Sequence, residues 1–187
     1  RVAVLIGLRR HADPHVAGRS YWSVAGLAFL LGANFLLIEH YLVLGLFQRT
    51  YVYHDSLMLG AISFLVLTGL GSLISGRHMR PVTTGVAAVA IIVLSFWPDQ
   101  LSATAVVVLI APVALATGSF FQALLDLAAR NPLAVFAMDA MGCGFGALAA
   151  GVVPITMGLG AFLGLAGAVF LATAVANLWF HYRRPDS

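Results

Sequence analysis

Long apolar segments alternate with short polar connectors along the whole chain. Each apolar segment is about 17 to 27 residues long, which suits a helix that crosses a bilayer and is too long for a strand of a membrane barrel. The pattern therefore predicts an all-α, polytopic membrane protein with six transmembrane helices. The six predicted spans are residues 21–47, 56–75, 81–98, 101–128, 132–154 and 158–182.

These spans divide the chain into three regions. Residues 1–19 contain a short apolar run, residues 2–8, followed by a polar connector. The run is too short to cross a bilayer, and we expect it to be the end of a helix that begins upstream. Residues 20–182 form the predicted six-helix transmembrane domain, and residues 183–187 form a cytoplasmic tail.

The arginines indicate how the helices are oriented. The chain has no lysine, and eight arginines fall on one side of the predicted spans, whereas only Arg49 falls on the other. Cytoplasmic loops of membrane proteins are enriched in such residues. We therefore expect both ends of the chain to lie in the cytoplasm and the protein to lie in a bacterial inner membrane. The eight residues are Arg9, Arg10, Arg19, Arg77, Arg80, Arg130, Arg183 and Arg184.

Composition agrees with the membrane class. Hydrophobic residues make up 61% of the chain and charged residues 9%, with a mean hydropathy of +0.97, whereas about 25% of the residues of a soluble domain are charged. The arginines lie at helix ends and not in one stripe, which excludes a nucleic-acid-binding surface. The single cysteine, Cys143, lies in an apolar span and is expected to be a small buried residue.

Small residues recur at four-residue spacing, so they share one helix face. In a membrane such faces let helix backbones approach closely, and we expect the other helices to pack around the Gly-rich stretch at 137–158. More than one such face also favours an external partner. The predicted packing positions are Gly142, Gly146 and Ala150 in the fifth span, Gly160 and Gly164 in the sixth, and Gly69 and Gly71 in the second.

Ionisable side chains at membrane depth are candidates for function. Glu39 and His40 lie in the first predicted span and Asp139 lies in the fifth. At about 1.5 Å rise per residue, the two carboxylates differ in depth by roughly 15 Å, so we expect two separate sites. Ser119 and Gln122 of the fourth span match the depth of Asp139, whereas Glu39 lies closer to the outer loop after the first span. Each carboxyl group either fixes helix packing or belongs to a proton or substrate path.

No cofactor follows from the sequence. A haem with two histidine ligands needs a second histidine at the depth of His40, and the third to fifth spans contain none. His40 remains a single candidate ligand for a pigment, and a bound lipid, quinone or pigment stays open. Metal-protease, hydrolase and phosphate-loop motifs are missing from the sequence. We therefore predict no catalytic residue and no metal site.

Four motifs occur in order along the chain: Phe-Leu-Leu-Ile-Glu at 35–39, Gly-Leu-Gly-Ser-Leu-Ile-Ser-Gly-Arg at 69–77, Thr-Gly-Ser-Phe-Phe at 117–121, and Asp-Ala-Met-Gly at 139–142 with a further Gly and Pro pattern up to 158. Together they resemble the membrane part of bacterial spermidine-synthase-like integral membrane proteins. In that family, transporter-like helices are joined to a soluble aminopropyltransferase-like or methyltransferase-like domain. The resemblance covers most of residues 20–180 and implies the helical part alone, without the soluble domain.

The chain departs from the pattern of that family at four positions. Asp139 stands where the family-like residue is Asn, and Gln122 stands where it is Pro. Leu44 replaces an expected Gln, and Tyr51 replaces an expected Gly near the outer loop.

Three functions remain open from the sequence. The preferred hypothesis is a non-catalytic scaffold or anchor, acting as an accessory subunit or as the membrane part of a spermidine-synthase-like protein. The alternatives are a half-transporter for a polyamine or lipid-like solute, and a pigment- or quinone-contacting subunit of an energy-converting complex. The expected partners are the lipid bilayer and either other membrane subunits or a soluble domain of the same parent chain.

Overall fold

The computed structural model describes the backbone of residues 14–74, 79–96, 101–128 and 132–182, with side chains over most of these ranges. In these ranges the chain forms helices joined by short connectors and contains no strand, which confirms the all-α class. The five helices are α1 (Pro14–Thr50), α2 (Tyr53–Leu73), α3 (Met79–Phe96), α4 (Ala103–Ala128) and α5 (Pro132–Tyr182). The predicted region 1–19 lies largely outside the described residues, and the predicted tail 183–187 lies wholly outside them.

Four of the helices are long and apolar enough to cross a membrane. The apolar section of α3, Arg80–Ser95, is shorter than the other four. The structure therefore supports the membrane class through α1, α2, α4 and α5. The apolar sections of these four helices are Ser23–Thr50, Tyr53–Leu73, Ala103–Leu125 and Leu133–Trp179.

Helix α5 is interrupted near its middle. Its 51 residues would extend over about 76 Å as a straight helix, more than twice the ~30 Å of a bilayer core. Gly158 breaks the helix with φ 86° and ψ 167°, a conformation that glycine adopts at little cost. Pro154 lies one turn earlier and removes one backbone donor. The two arms, residues 132–157 and 159–182, meet where the sequence predicts one span to end and the next to begin.

Both arms of α5 return to the same turn of α1. In the first arm, a Cβ atom built on Gly142 would overlap the carbonyl group of Phe29. In the second arm, the Thr173 hydroxyl lies 3.4 Å from the carbonyl oxygen of Leu30. Gly142 and Thr173 are 31 residues apart (173 − 142), or about 46 Å along a straight helix. Because they contact neighbouring residues of α1, the two arms form a helical hairpin against α1.

Helix α1, and not the Gly-rich stretch of α5, is the centre of the fold. Helices α2, α4 and α5 all pack on α1, whereas the backbones of α2 and α5 do not approach each other within the described ranges. A helix that packs against neighbours on several sides carries apolar residues over most of its surface. Its almost completely buried side chains include Leu27, Leu31, Leu37, Ile38, Tyr41, Leu42 and Leu46.

Aromatic side chains link the helices around α1. The rings of Phe35 in α1 and Phe64 in α2 meet edge-on, with centroids 5.1 Å apart. The rings of Phe120 in α4 and Phe170 in the second arm of α5 lie 5.8 Å apart. All of these except Phe35 are fully buried, so they join separate helices into one core.

The predicted small-residue positions divide into packed and open ones. A Cβ atom on Gly142 or Gly146 would meet the backbone of α1, and a Cβ atom on Gly71 would overlap the Leu115 carbonyl group of α4. Ala150 is also buried. By contrast, a Cβ atom on Gly69, Gly160 or Gly164 would meet no atom within 4 Å. The first group sets close helix approach inside the fold, and the second lies on its outside.

Candidate functional site

Hydroxyl groups in the core are hydrogen-bonded within their own helices. Thr117 donates to the Val113 carbonyl oxygen at 2.9 Å, and Ser119 donates to that of Ala116 at 2.8 Å. Thr173 makes the same kind of bond to Val169 at 2.7 Å. Buried polar groups must be hydrogen-bonded to avoid a large desolvation cost, and these groups meet that need without a ligand.

Asn34 forms a polar junction at the middle of α1. Its Nδ2 atom donates to the Thr117 hydroxyl oxygen of α4 at 3.1 Å, while the Thr117 proton goes to Val113. The Asn34 side chain is completely buried, and its Oδ1 atom has no partner among the described residues. Asn34 is not among the residues predicted from the sequence, although an amide in the middle of an apolar span is itself a signal of an interhelical hydrogen bond.

Glu39 and His40 lie on the C-terminal half of α1, and both are half-buried. The His40 Nδ1 atom lies 3.0 Å from the Leu36 carbonyl oxygen, so a proton on Nδ1 is donated to it. That bond leaves Nε2 as the ring atom able to meet a ligand. A single pigment ligand is therefore chemically possible at His40, through Nε2.

Glu39 faces an open groove between α2 and the first arm of α5. Phe35 and Val43, each one turn from Glu39, contact α2 through Phe64 and Gly60. On the neighbouring side of α1, Leu36 contacts Gly146 of the first arm. Within the described ranges the backbones of α2 and α5 do not approach each other, so a groove lies between these two helices. We call this groove, with Leu36 and Glu39 as its floor and Asp139 and Cys143 on one wall, the lateral groove.

Asp139 and Glu39 lie at different heights in the lateral groove. The Asp139 carbonyl group lies against Gly32 of α1, and Glu39 is seven residues farther along (39 − 32). The helix rise then separates the two carboxyl groups by roughly 10–15 Å along the groove. Cys143 lies between them, within electrostatic reach of both. The structure thus places both carboxyl groups on one face, at separate levels.

Ser119 and Gln122 belong to α4, which packs chiefly on α2, α3 and α1. Asp139, by contrast, lies against α1. The pairing of Asp139 with Ser119 and Gln122 stays a prediction.

The loop that joins α1 to α2 is anchored by Arg49. The Arg49 Nε atom donates to the Leu101 carbonyl oxygen at 2.8 Å, and one terminal nitrogen donates to that of Gly45 at 2.6 Å. Tyr51 then has a positive φ of 59° and is 83% exposed. The arginine therefore ties the end of α1 to the segment before α4, and a pairing of Glu39 with this loop stays a prediction.

Within the described part of the chain, no group of three or more His, Cys, Asp or Glu side chains could hold a metal ion. The comparisons with known proteins add no assignment. No protein-family model matches the chain, no curated protein is significantly similar to it, and no solved structure is significantly similar to it.

Proposed function

We propose that this chain is a non-catalytic transmembrane scaffold, which anchors a partner subunit or a soluble domain of the same polypeptide in the bacterial inner membrane. The observation that supports it is the use of the core polar groups. Thr117, Ser119 and Thr173 bond to backbone carbonyls, and Asn34 joins α1 to α4. Asn34 and Thr173 link neighbouring helices, and the hydroxyl protons of Thr117 and Ser119 are used within α4, so these bonds serve the packing of the bundle.

The proposed topology has six crossings. The two arms of α5 contain about 39 Å and 36 Å of helix, so each is long enough to cross the ~30 Å core of a bilayer. Together with α1 to α4 they make an even number of crossings, with both ends of the chain on the arginine-rich side. The distribution of eight arginines against one supports the cytoplasm as that side.

The relationship to spermidine-synthase-like membrane proteins belongs to the same proposal. It rests on the order of the four motifs and on one structural feature, the positive φ of Tyr51. The resembling pattern has a glycine at this position, and glycine is the residue that adopts this conformation most readily.

A photocross-linking experiment tests the scaffold. A photoreactive amino acid replaces Ala147, an exposed residue of the first α5 arm near the lateral groove. In the control, the same amino acid replaces Val86, an exposed residue of α3. We expect irradiated native membranes to yield one defined protein adduct from position 147 and lipid adducts alone from position 86. Peptide mapping of the adduct then identifies the partner. Adducts with lipid alone at both positions, in membranes from the native host, would contradict a scaffold role.

A half-transporter is the second candidate, because Glu39 lies in a groove that is open to the membrane. Purified protein in sealed vesicles should then take up radiolabelled spermidine, and Glu39→Gln or Asp139→Asn should reduce the uptake by about tenfold or more if a carboxylate binds the amine in the membrane. Uptake equal to that of empty vesicles removes this candidate. An absorbance spectrum of the same preparation tests a pigment at His40.

A further inference from the structure

The turn of the α5 hairpin consists of apolar residues. The chain carries no Asp, Glu, Lys or Arg between Asp139 and Arg183. Within residues 151–162, here called the hairpin tip, Thr156 has the single polar side chain. Turns that reach water are usually rich in polar residues, and this one is not.

The side chains of the hairpin tip are uncovered. Ile155 is 85% exposed and Met157 is 71% exposed, and Val152 is also exposed. The Thr156 hydroxyl donates to the Val152 carbonyl oxygen at 2.9 Å, so it is satisfied within its own helix and does not need water. The tip therefore presents a surface without an unmet hydrogen-bonding side chain.

The contacts of both arms with α1 give the height of the tip. Gly142 lies against Phe29 and Ala33, and Thr173 lies against Leu30. Gly158 follows Gly142 by 16 residues and precedes Thr173 by 15. Along either arm, it therefore lies level with residues 45–47 of α1. Since α1 continues to Thr50, the tip lies about 5–8 Å below the end of α1.

Aromatic residues mark the two interfaces around the tip. Tyr51 and Tyr53, both exposed, follow the end of α1 and suit the outer interface, while Trp179, also exposed, suits the inner one. From Trp179 to Gly158 the second arm rises 21 residues, or about 32 Å, which is close to the thickness of the hydrocarbon core. The turn therefore ends at the outer edge of that core.

We propose that the side chains of the hairpin tip insert into the acyl chains of the outer leaflet and do not reach water, while the backbone groups freed at the Gly158 turn lie at the edge of the headgroup region. Lipid covers the tip, and Val152, Ile155 and Met157 contact its hydrocarbon chains. The Thr156 hydroxyl is hydrogen-bonded within its own helix, so this polar side chain does not oppose burial in lipid. Among the described residues, the aqueous outer surface is then formed by the α1–α2 loop and the segment just before α4, and not by the hairpin. A soluble partner on that side would meet the loop.

Cysteine labelling tests the position of the tip. The native thiol is first removed by Cys143→Ala, and Ile155→Cys or Met157→Cys is then introduced, with Tyr53→Cys at the exposed start of α2 as the control. The purified protein is placed in vesicles of phosphatidylcholine and phosphatidylglycerol, without any other protein. A membrane-impermeant maleimide is added from outside, and labelling after denaturation in dodecyl sulfate gives the total thiol.

We expect both tip cysteines to react at least about tenfold more slowly than Cys at position 53, because water is excluded from the acyl chains. A nitroxide at the same tip positions should be more accessible to oxygen than to a water-soluble nickel complex, a readout that does not depend on thiol reactivity. Labelling of either tip cysteine within about threefold of the control overturns the proposal. The proposal is also overturned if the tip cysteines are protected from the maleimide in native membranes but react with it in the lipid vesicles, since another protein would then cover the tip.

Discussion

Two residues of this protein have a conformation or a contact that the hydrophobic pattern of its helices does not predict. Tyr51 adopts a left-handed conformation at the end of α1, and Asn34 carries an amide into the centre of an apolar core. Both positions have a definite energetic consequence. The left-handed conformation costs a non-glycine residue about 1–2 kcal/mol, and an interhelical hydrogen bond in a membrane contributes about 0.6 kcal/mol.

Replacing Tyr51 by glycine should stabilise the protein by about 1 kcal/mol, because the strain disappears and the exposed ring loses few contacts. Unfolding by dodecyl sulfate in mixed micelles measures the change. The control is Tyr53→Gly at the start of α2, which should destabilise by about 1 kcal/mol or more, because helix propensity falls and the edge-on contact with the Phe47 ring is lost. An unchanged or lower stability for the Tyr51 variant would argue against the strained loop.

The Asn34–Thr117 hydrogen bond should appear as a coupling in a double-mutant cycle. We expect Asn34→Ala and Thr117→Val together to be less destabilising than the sum of the single changes, by about 0.6–1.7 kcal/mol. The same unfolding assay provides the four free energies. Thr156→Val, which removes an exposed hydroxyl bonded within its own helix, should show no coupling to Asn34→Ala. Additive effects of Asn34 and Thr117 would mean that the bond does not form in the membrane.

Helices in this protein approach closely where small residues face a neighbouring backbone. Gly142 and Gly146 let the first arm of α5 lie against α1, and Gly71 and Gly118 do the same between α2 and α4. Membrane helices associate by packing and not by a hydrophobic drive between them. A glycine between two backbones therefore matters far more than one that faces lipid.

Gly142 and Gly144 form a matched pair two residues apart on the same helix. Gly142→Ala should destabilise the protein by about 2 kcal/mol or more, because the added methyl group overlaps the Phe29 carbonyl group. Gly144→Ala should be neutral or stabilising by up to about 1 kcal/mol, since its site is open. Thermal unfolding in detergent compares the two variants. Equal effects at both positions would contradict the packing of this arm on α1.

At the scale of the whole molecule, α1 is enclosed by α2, α4 and the α5 hairpin. The outer helix faces are apolar, as lipid contact requires. Within the described residues, the lateral groove brings Glu39 and Asp139 onto a single face. Any function that uses the intramembrane carboxyl groups would therefore act from the lipid side of the bundle.

The proposed topology predicts the outcome of fusion reporters. Green fluorescent protein attached after Ser187 should fluoresce, and alkaline phosphatase at the same point should be inactive, since both reporters would lie in the cytoplasm. Alkaline phosphatase inserted after Tyr53 should be active, because the α1–α2 loop lies outside. An active phosphatase after Ser187 would require an odd number of crossings or the opposite orientation.

The sequence alone was sufficient to predict the all-α membrane class. A lipid environment requires long apolar helices, and few soluble proteins have so many hydrophobic and so few charged residues. It also predicted the break in the last helix, since Pro154 and Gly158 both oppose a continuous helix at that point. These features depend on local chemistry and on the solvent.

The tertiary structure decided which helix is central and which polar groups meet. Small-residue faces look alike in sequence, yet Gly142 is packed and Gly160 is open, because the difference depends on where another helix lies. The Asn34–Thr117 bond joins residues 83 positions apart. The lateral groove exists because, within the described ranges, α2 and α5 both pack on α1 while their own backbones stay apart. Such contacts depend on the arrangement of distant segments, which hydrophobic periodicity does not encode.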